Sequence, residues 1–168
     1  MCRECCPWPR VESIADTLLE VNQAKRPKIV LDTSVLIAAL RSGSGASAAA
    51  LIGILRLDAR LLLSYALVCE YRDVALRPDQ LAAFQRTAQE VEALISELEE
   101  LAEPLPFAER HRPISPDPDD DLVLEAAING RADLILSHNI RHLRQAAARF
   151  KIEVVTPQEF LQLLRHQE

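Results

Sequence analysis

The stretch Lys28-Ile29-Val30-Leu31-Asp32-Thr33-Ser34-Val35-Leu36-Ile37-Ala38-Ala39-Leu40 joins a strand to a helix with a single carboxylate at the junction. Ile29, Val30 and Leu31 form a short apolar run behind Pro27, the pattern of a strand buried on both faces, and Val35 to Leu40 follow at helix-compatible spacing. Asp32 therefore falls at the carboxyl end of the strand. In an open α/β sheet that edge is where ligands bind, so Asp32, followed by the hydroxyls of Thr33 and Ser34, is placed for chemistry. Asp32 is equally suited to capping the helix that begins there, because Asp, Ser and Thr side chains accept from the free N–H groups of a first turn.

Working outward, the same unit recurs. Arg60 to Ser64 is a second short apolar run with a helix from Tyr65 to Leu76 behind it; Ala132 to Leu136 is a third, with a helix opening at Ser137; Ile152 to Val155 is a fourth, with Thr156-Pro157 starting the last helix and Phe160, Leu161 and Leu164 on its inner face. The Ala-rich run from Ala46 to Leu57 reads as a helix able to pack closely on a sheet, after a turn at Ser42-Gly43-Ser44-Gly45. Asp79 is expected to cap one long amphipathic helix with Leu81, Phe84, Ala88, Val91, Leu94, Ile95, Leu98 and Leu101 as its stripe. Prolines at 104, 106, 113, 116 and 118 mark a loop, which leads into a helix from Leu122 that ends at Asn129-Gly130. Alternation of strand and helix without hairpin signals predicts an α/β fold: a three-layer α/β/α arrangement around a parallel sheet of about four to five strands. Residues 28–168 form this domain. Residues 1–27 form an extension, in which Val11, Ile14, Leu18 and Val21 have the spacing of one helix.

Composition narrows the function. A chain of 168 residues with a formal net charge of -6 does not coat nucleic acid through bulk positive charge, which leaves room only for a local basic groove. Its basic side chains are Arg apart from Lys25, Lys28 and Lys151, and the planar guanidinium suits bidentate phosphate contacts. No apolar run reaches the roughly 20 residues of a membrane span, and the N-terminus lacks the apolar core of a signal peptide, so the protein is expected to be cytoplasmic and off the membrane. The cysteines do not make a disulfide framework: Cys2, Cys5 and Cys6 crowd together without a second pair at zinc-ligand spacing, and Cys69 reads as a small core side chain.

Acids gather at the predicted strand exits. Asp117-Pro118-Asp119-Asp120-Asp121 opens a helix whose dipole one or two carboxylates would satisfy; the additional ones repel each other unless a hard cation relieves them. Glu70 falls among Ala66, Leu67, Val68 and Cys69, where a carboxylate is costly without a partner charge, solvent or a metal. Asn139 stands just past the third strand. An oxygen-rich set of this kind without His or Cys pairs selects magnesium or manganese over zinc, and such a site supports hydrolysis of a phosphodiester. Arg41, Arg112, Arg141 and Arg144 are the candidates to grip substrate. A receiver-like phosphoryl acceptor built on Asp32 is disfavoured, because no lysine stands near the end of a late strand.

Val30 to Leu36, the segment from Ser64 to Glu70-Tyr71, Asp117-Pro118-Asp119-Asp120 with Leu124 and Ala127, and Ala132 to Ser137 together resemble the PIN domain, in the form found in bacterial toxin components related to VapC. The resemblance spans about residues 28 to 165. It implies a PIN-like fold, metal-dependent ribonuclease activity, RNA as substrate, frequent homodimers and a cognate antitoxin. It matches Asp32 to the first acid, Glu70 to the second and Asp120 to the third, with Asp121 beside it; these four would hold the metal, and with Asn139 would form the catalytic set. Ser34 and Ser137 would join the arginines in binding substrate. Where the family often has Asp after the third strand, or Asn followed by Asp, this chain has Asn139 and His142, which implies a weakened second metal site. His142, one turn on, could donate a proton to a leaving oxygen. The alternative is a PIN-like domain that binds RNA or a regulatory partner without cutting.

Overall fold

The computed structural model describes residues 27–56, 59–105, 115 and 120–165. Five strands, β1 (Lys28–Leu31), β2 (Arg60–Leu63), β3 (Glu103–Pro104), β4 (Leu134–Leu136) and β5 (Glu153–Val155), form one all-parallel sheet in the order β3-β2-β1-β4-β5. The described helices are α1 (Thr33–Arg41), α2 (Ala46–Arg56), α3 (Tyr65–Ala75), α4 (Pro78–Phe84), α5 (Ala88–Leu101), α6 (Asp121–Gly130), α7 (Ile140–Ala148) and α8 (Pro157–Arg165). The fold is the three-layer α/β/α arrangement expected from the alternation. The two central strands carry it: Ile29, Val30 and Leu31 pair with Leu134, Ile135 and Leu136, and all six are fully buried. Side chains apolar on both faces are what a strand sandwiched between helix layers requires.

The strand order fixes where a site can form. From β1 the chain steps outward to β2 and β3, then returns over them to β4 on the other side of β1 and continues to β5. Right-handed crossovers place the helices of these two excursions on opposite faces of the sheet. The reversal lies between β1 and β4, and a crevice opens at their carboxyl ends. The chain leaves β1 at Asp32 and β4 at Ser137.

Several elements differ from the sequence expectation. The stripe assigned to one long helix belongs to two. Gln85 takes a left-handed conformation (φ 54°) that ends α4, and α5 restarts at a reciprocal cap in which Thr87 Oγ1 accepts from the Glu90 N–H at 3.2 Å while Glu90 Oε2 accepts from the Thr87 N–H at 2.7 Å. Asp79 lies inside the first turn of α4, Ala88 is exposed, and Leu101 is 64% exposed, so the stripe is buried only at Phe84, Val91, Ile95 and Leu98. The start of the proline-rich loop contributes β3, a two-residue strand that Pro104 can occupy because it lies at the sheet edge. Helix α2 packs on α1 and α8: a side chain on Gly53 would meet Leu164 Cδ1 at 2.9 Å, which is why the small residues are there. On α8 the buried pair is Phe160 and Leu163, with Leu161 and Leu164 partly buried beside them. Cys69 is partly exposed. No single helix among the described residues is long and apolar enough to cross a membrane. The N-terminal extension, Arg112, Asp117 and Asp119 lie outside the described residues.

Helix α6 ends on Arg131 in the left-handed conformation (φ 51°), one residue later than the cap expected at Gly130. Gly130 is still helical, and it is small because Leu62 Cδ1 would lie 2.5 Å from a side-chain carbon there. The two positions should therefore respond in opposite directions. Arg131→Gly relieves a left-handed non-glycine residue and should stabilise by roughly 1 kcal/mol, whereas Gly130→Ala crowds the β2 packing and should destabilise by about 1–3 kcal/mol. Thermal melts of the two variants, at about 2–4 °C per kcal/mol for a domain of this size, check both signs.

Candidate active site

Asp32 caps α1 from the carboxyl end of β1. Its carboxylate accepts from the Ser34 N–H at 3.3 Å and from Ser34 Oγ at 2.7 Å, and it also accepts from the hydroxyl of Ser137. The backbone N–H of Asp32 donates to the Leu136 carbonyl at 2.9 Å, which ties the end of β1 to the end of β4. Ser137 is fully buried, and its hydroxyl is engaged by Asp32.

From Ser137 a hydrogen-bonded path leads to the third acid. Ser137 Oγ accepts from the Asn139 N–H at 2.9 Å, and Asn139 Nδ2 donates to Asp120 Oδ1 at 3.2 Å. Asp120, only 5% exposed, also accepts from Ser115 Oγ at 3.3 Å. The adjacent Asp121 points its Oδ1 at the Ser115 N–H, at 2.9 Å, and so anchors the segment that precedes α6. Asn139 thus turns its amide nitrogen, not its carbonyl oxygen, to Asp120. A neutral donor next to a buried carboxylate relieves the repulsion that a fourth acid would create.

Glu70 reaches the same edge from α3. Its Oε1 accepts from Thr33 Oγ1 at 2.9 Å, and Thr33 is the residue after Asp32. The next residue, Tyr71, is fully buried and its hydroxyl donates to the Leu31 carbonyl. Burial holds the Tyr71 phenol well above its ordinary pKa, and the nearby charges of Asp32 and Glu70 push it further in the same direction.

The sequence reading passed over one histidine here. His138 Nε2 lies 2.8 Å from the buried hydroxyl of Ser47 on α2, and the His138 N–H donates to Ser34 Oγ at 3.3 Å. The imidazole is thus held at the rim of the Asp32 cluster. His142, the histidine considered beforehand, is simply exposed on α7. Among the arginines, Arg141 is exposed in the first turn of α7, beside Asn139, and Arg41 is exposed with a bond to Gln80 Oε1 at 2.9 Å. Arg144 is used otherwise: Nε donates to the Val154 carbonyl at 2.9 Å, and its terminal nitrogen meets the two Glu159 oxygens at 2.8 and 2.7 Å, so it ties α7 to β5 and α8.

The donors around this edge are oxygens, which suit a hard divalent cation in kind. Among the described residues no group of three or more His, Cys, Asp or Glu is disposed to hold an ion by itself, because hydroxyls and an amide stand between the carboxylates. Asp32 and Asp120 are the two that the path through Ser137 and Asn139 joins.

No curated protein matches the chain. Residues 28–141, well over half of the chain and all of the elements just described up to the start of α7, match the family model described as the PIN domain, and the chain belongs to that family.

Proposed function

We propose that this PIN domain is a magnesium- or manganese-dependent endoribonuclease that works from the crevice between β1 and β4. PIN domains are typically nucleases that use divalent metal ions. The observation that carries the reading for this chain is the continuous path from Asp32 through Ser137 and Asn139 to Asp120, with Glu70 joined to it through Thr33. The partners in two of these bonds are 105 and 19 residues apart, and the fold brings them together at one sheet edge. Asp32 and Asp120, helped by Glu70 and Asp121, are the groups that would hold the ion. When bound, such an ion supplies charge against the phosphate oxygens and lowers the pKa of a coordinated water.

The chain's own residues do the rest. Ser34 and Ser137 aim the Asp32 carboxylate through three donated hydrogen bonds. Asn139 holds Asp120 without adding charge. Arg141 and Arg41 place exposed guanidinium groups for the RNA backbone, and Arg112 is proposed for the same role from its sequence position alone. The role proposed for the protein is that of a cytoplasmic toxin, acting as a homodimer and held in check by a cognate antitoxin; it is supported by the resemblance of Val30 to Leu36 and of the other quoted motifs to VapC-like chains.

Two experiments test the reading. Purified protein is expected to cut single-stranded or structured RNA with magnesium or manganese and to stop in chelator, and Asp32→Asn should lose at least about 100-fold in rate, close to 3 kcal/mol of barrier, while keeping the wild-type circular dichroism spectrum. Cleavage that persists in chelator sinks the proposal. In the second, Asn139→Asp puts a carboxylate where an amide now donates to Asp120. Like-charge contact at that site should lower the melting temperature in chelator, by about 1–2 kcal/mol of stability, and should enlarge the stabilisation that manganese confers. A manganese-induced shift in melting temperature no larger than the wild-type one would show that residue 139 does not face the ion.

A further inference from the structure

Two consecutive residues of α3 grip the two residues that flank Asp32. Glu70 accepts from the Thr33 hydroxyl at 2.9 Å, and Tyr71 donates to the Leu31 carbonyl. That carbonyl belongs to the peptide bond whose N–H is the Asp32 N–H, and this N–H in turn donates to Leu136 O at 2.9 Å. The peptide unit entering Asp32 is therefore held from both ends: its oxygen by α3, its nitrogen by β4. Leu31 is the last residue of β1, at the point where the sheet stops and the chain turns into α1. Rotation of that peptide would swing the Asp32 side chain away from Ser137.

We infer that Tyr71 is a positioning residue, whose hydroxyl fixes the Leu31–Asp32 peptide and through it the direction of the Asp32 carboxylate, while Thr33 and Glu70 form the second arm of the same clamp. Nothing in the apolar packing calls for this hydroxyl. Tyr71 is fully buried, and a phenylalanine would fill the same space in the core. A buried phenol needs a partner, and the one it has is the carbonyl next to the acid. The clamp also couples the two acids. Glu70 and Tyr71 share one turn of α3, so a shift of that helix moves the second acid and the peptide that carries the first together. The catalytic consequence rests on the nuclease reading above; the positioning itself does not.

The test uses the full chain with Tyr71→Phe, with Thr33→Val for the second arm, and with Tyr65→Phe as a control at an exposed tyrosine outside the site. Hydrogen exchange of the Asp32 amide reads the clamp directly. Tyr71→Phe should fold, should speed exchange at Asp32 by about tenfold while leaving the Ile29 and Val30 amides at their wild-type rates, and should weaken manganese binding by roughly three- to tenfold in calorimetry. At saturating manganese, kcat on RNA should fall about tenfold with KM for RNA within about twofold of wild type, since a misdirected acid impairs the reaction more than substrate binding. Thr33→Val should move the same readouts in the same direction, and it decides the matter if Tyr71→Phe does not fold. Unchanged exchange at Asp32 with unchanged manganese affinity overturns the inference, as does a uniform acceleration across β1, which would mean that Tyr71 serves general stability. If the wild-type protein cuts no RNA, the nuclease reading falls, and exchange and manganese affinity still decide the clamp.

Discussion

A carboxylate at the end of a buried strand is expensive to keep charged, and the way the Asp32 charge is accommodated organises much of what surrounds it. Ser34 and Ser137 donate to it, and Asp32 itself starts α1 by capping it. Each donor brings its own element. Ser137 is held where β4 ends by pairing in register with β1; Ser34 is held by the first turn of α1, which needs Asp32 as its cap. Capping α1 and tying β1 to β4 are here two effects of one hydrogen-bond arrangement at a single aspartate.

Much of the fold was legible because parallel sheets advertise themselves. A strand buried on both faces must be apolar throughout, and Ile29 to Leu31 and Leu134 to Leu136 are. Asp32, Asp120 and Asn139 were legible for a related reason: polar groups just past such strands, or in the first turns of helices that face the same edge, have few places to go. The break between α4 and α5 was also written locally, in Thr87 and Glu90 three residues apart, but the apolar stripe running across it masked the signature. β3 was not legible. Two residues, one of them proline, carry no period, and they become a strand only because Leu62 and Leu63 of β2 offer them a partner.

The rest of the site depends on contacts that local pattern cannot reveal. Tyr71 and Leu31 are 40 residues apart, and Ser47 and His138 are 91 apart, so no window of sequence holds both partners. Arg144 depends on a distant contact too. An arginine in a basic helix beside a suspected site suggests a phosphate contact, yet the carboxylate that claims it, Glu159, is 15 residues on, in a helix that reaches it only once β5 is in place. Ser137 and Asp32, 105 residues apart, are another such pair.

The same details bear on how the molecule meets its neighbours. An open parallel sheet has two margins with unsatisfied backbone groups, and a long bare margin invites another chain to add a strand. On one side the margin is β3, two residues long and ending in a proline that has no N–H to offer. On the other it is β5, three residues long, where the guanidinium of Arg144 covers the Val154 carbonyl. Strand addition is thus discouraged at both margins of the sheet formed by the described residues.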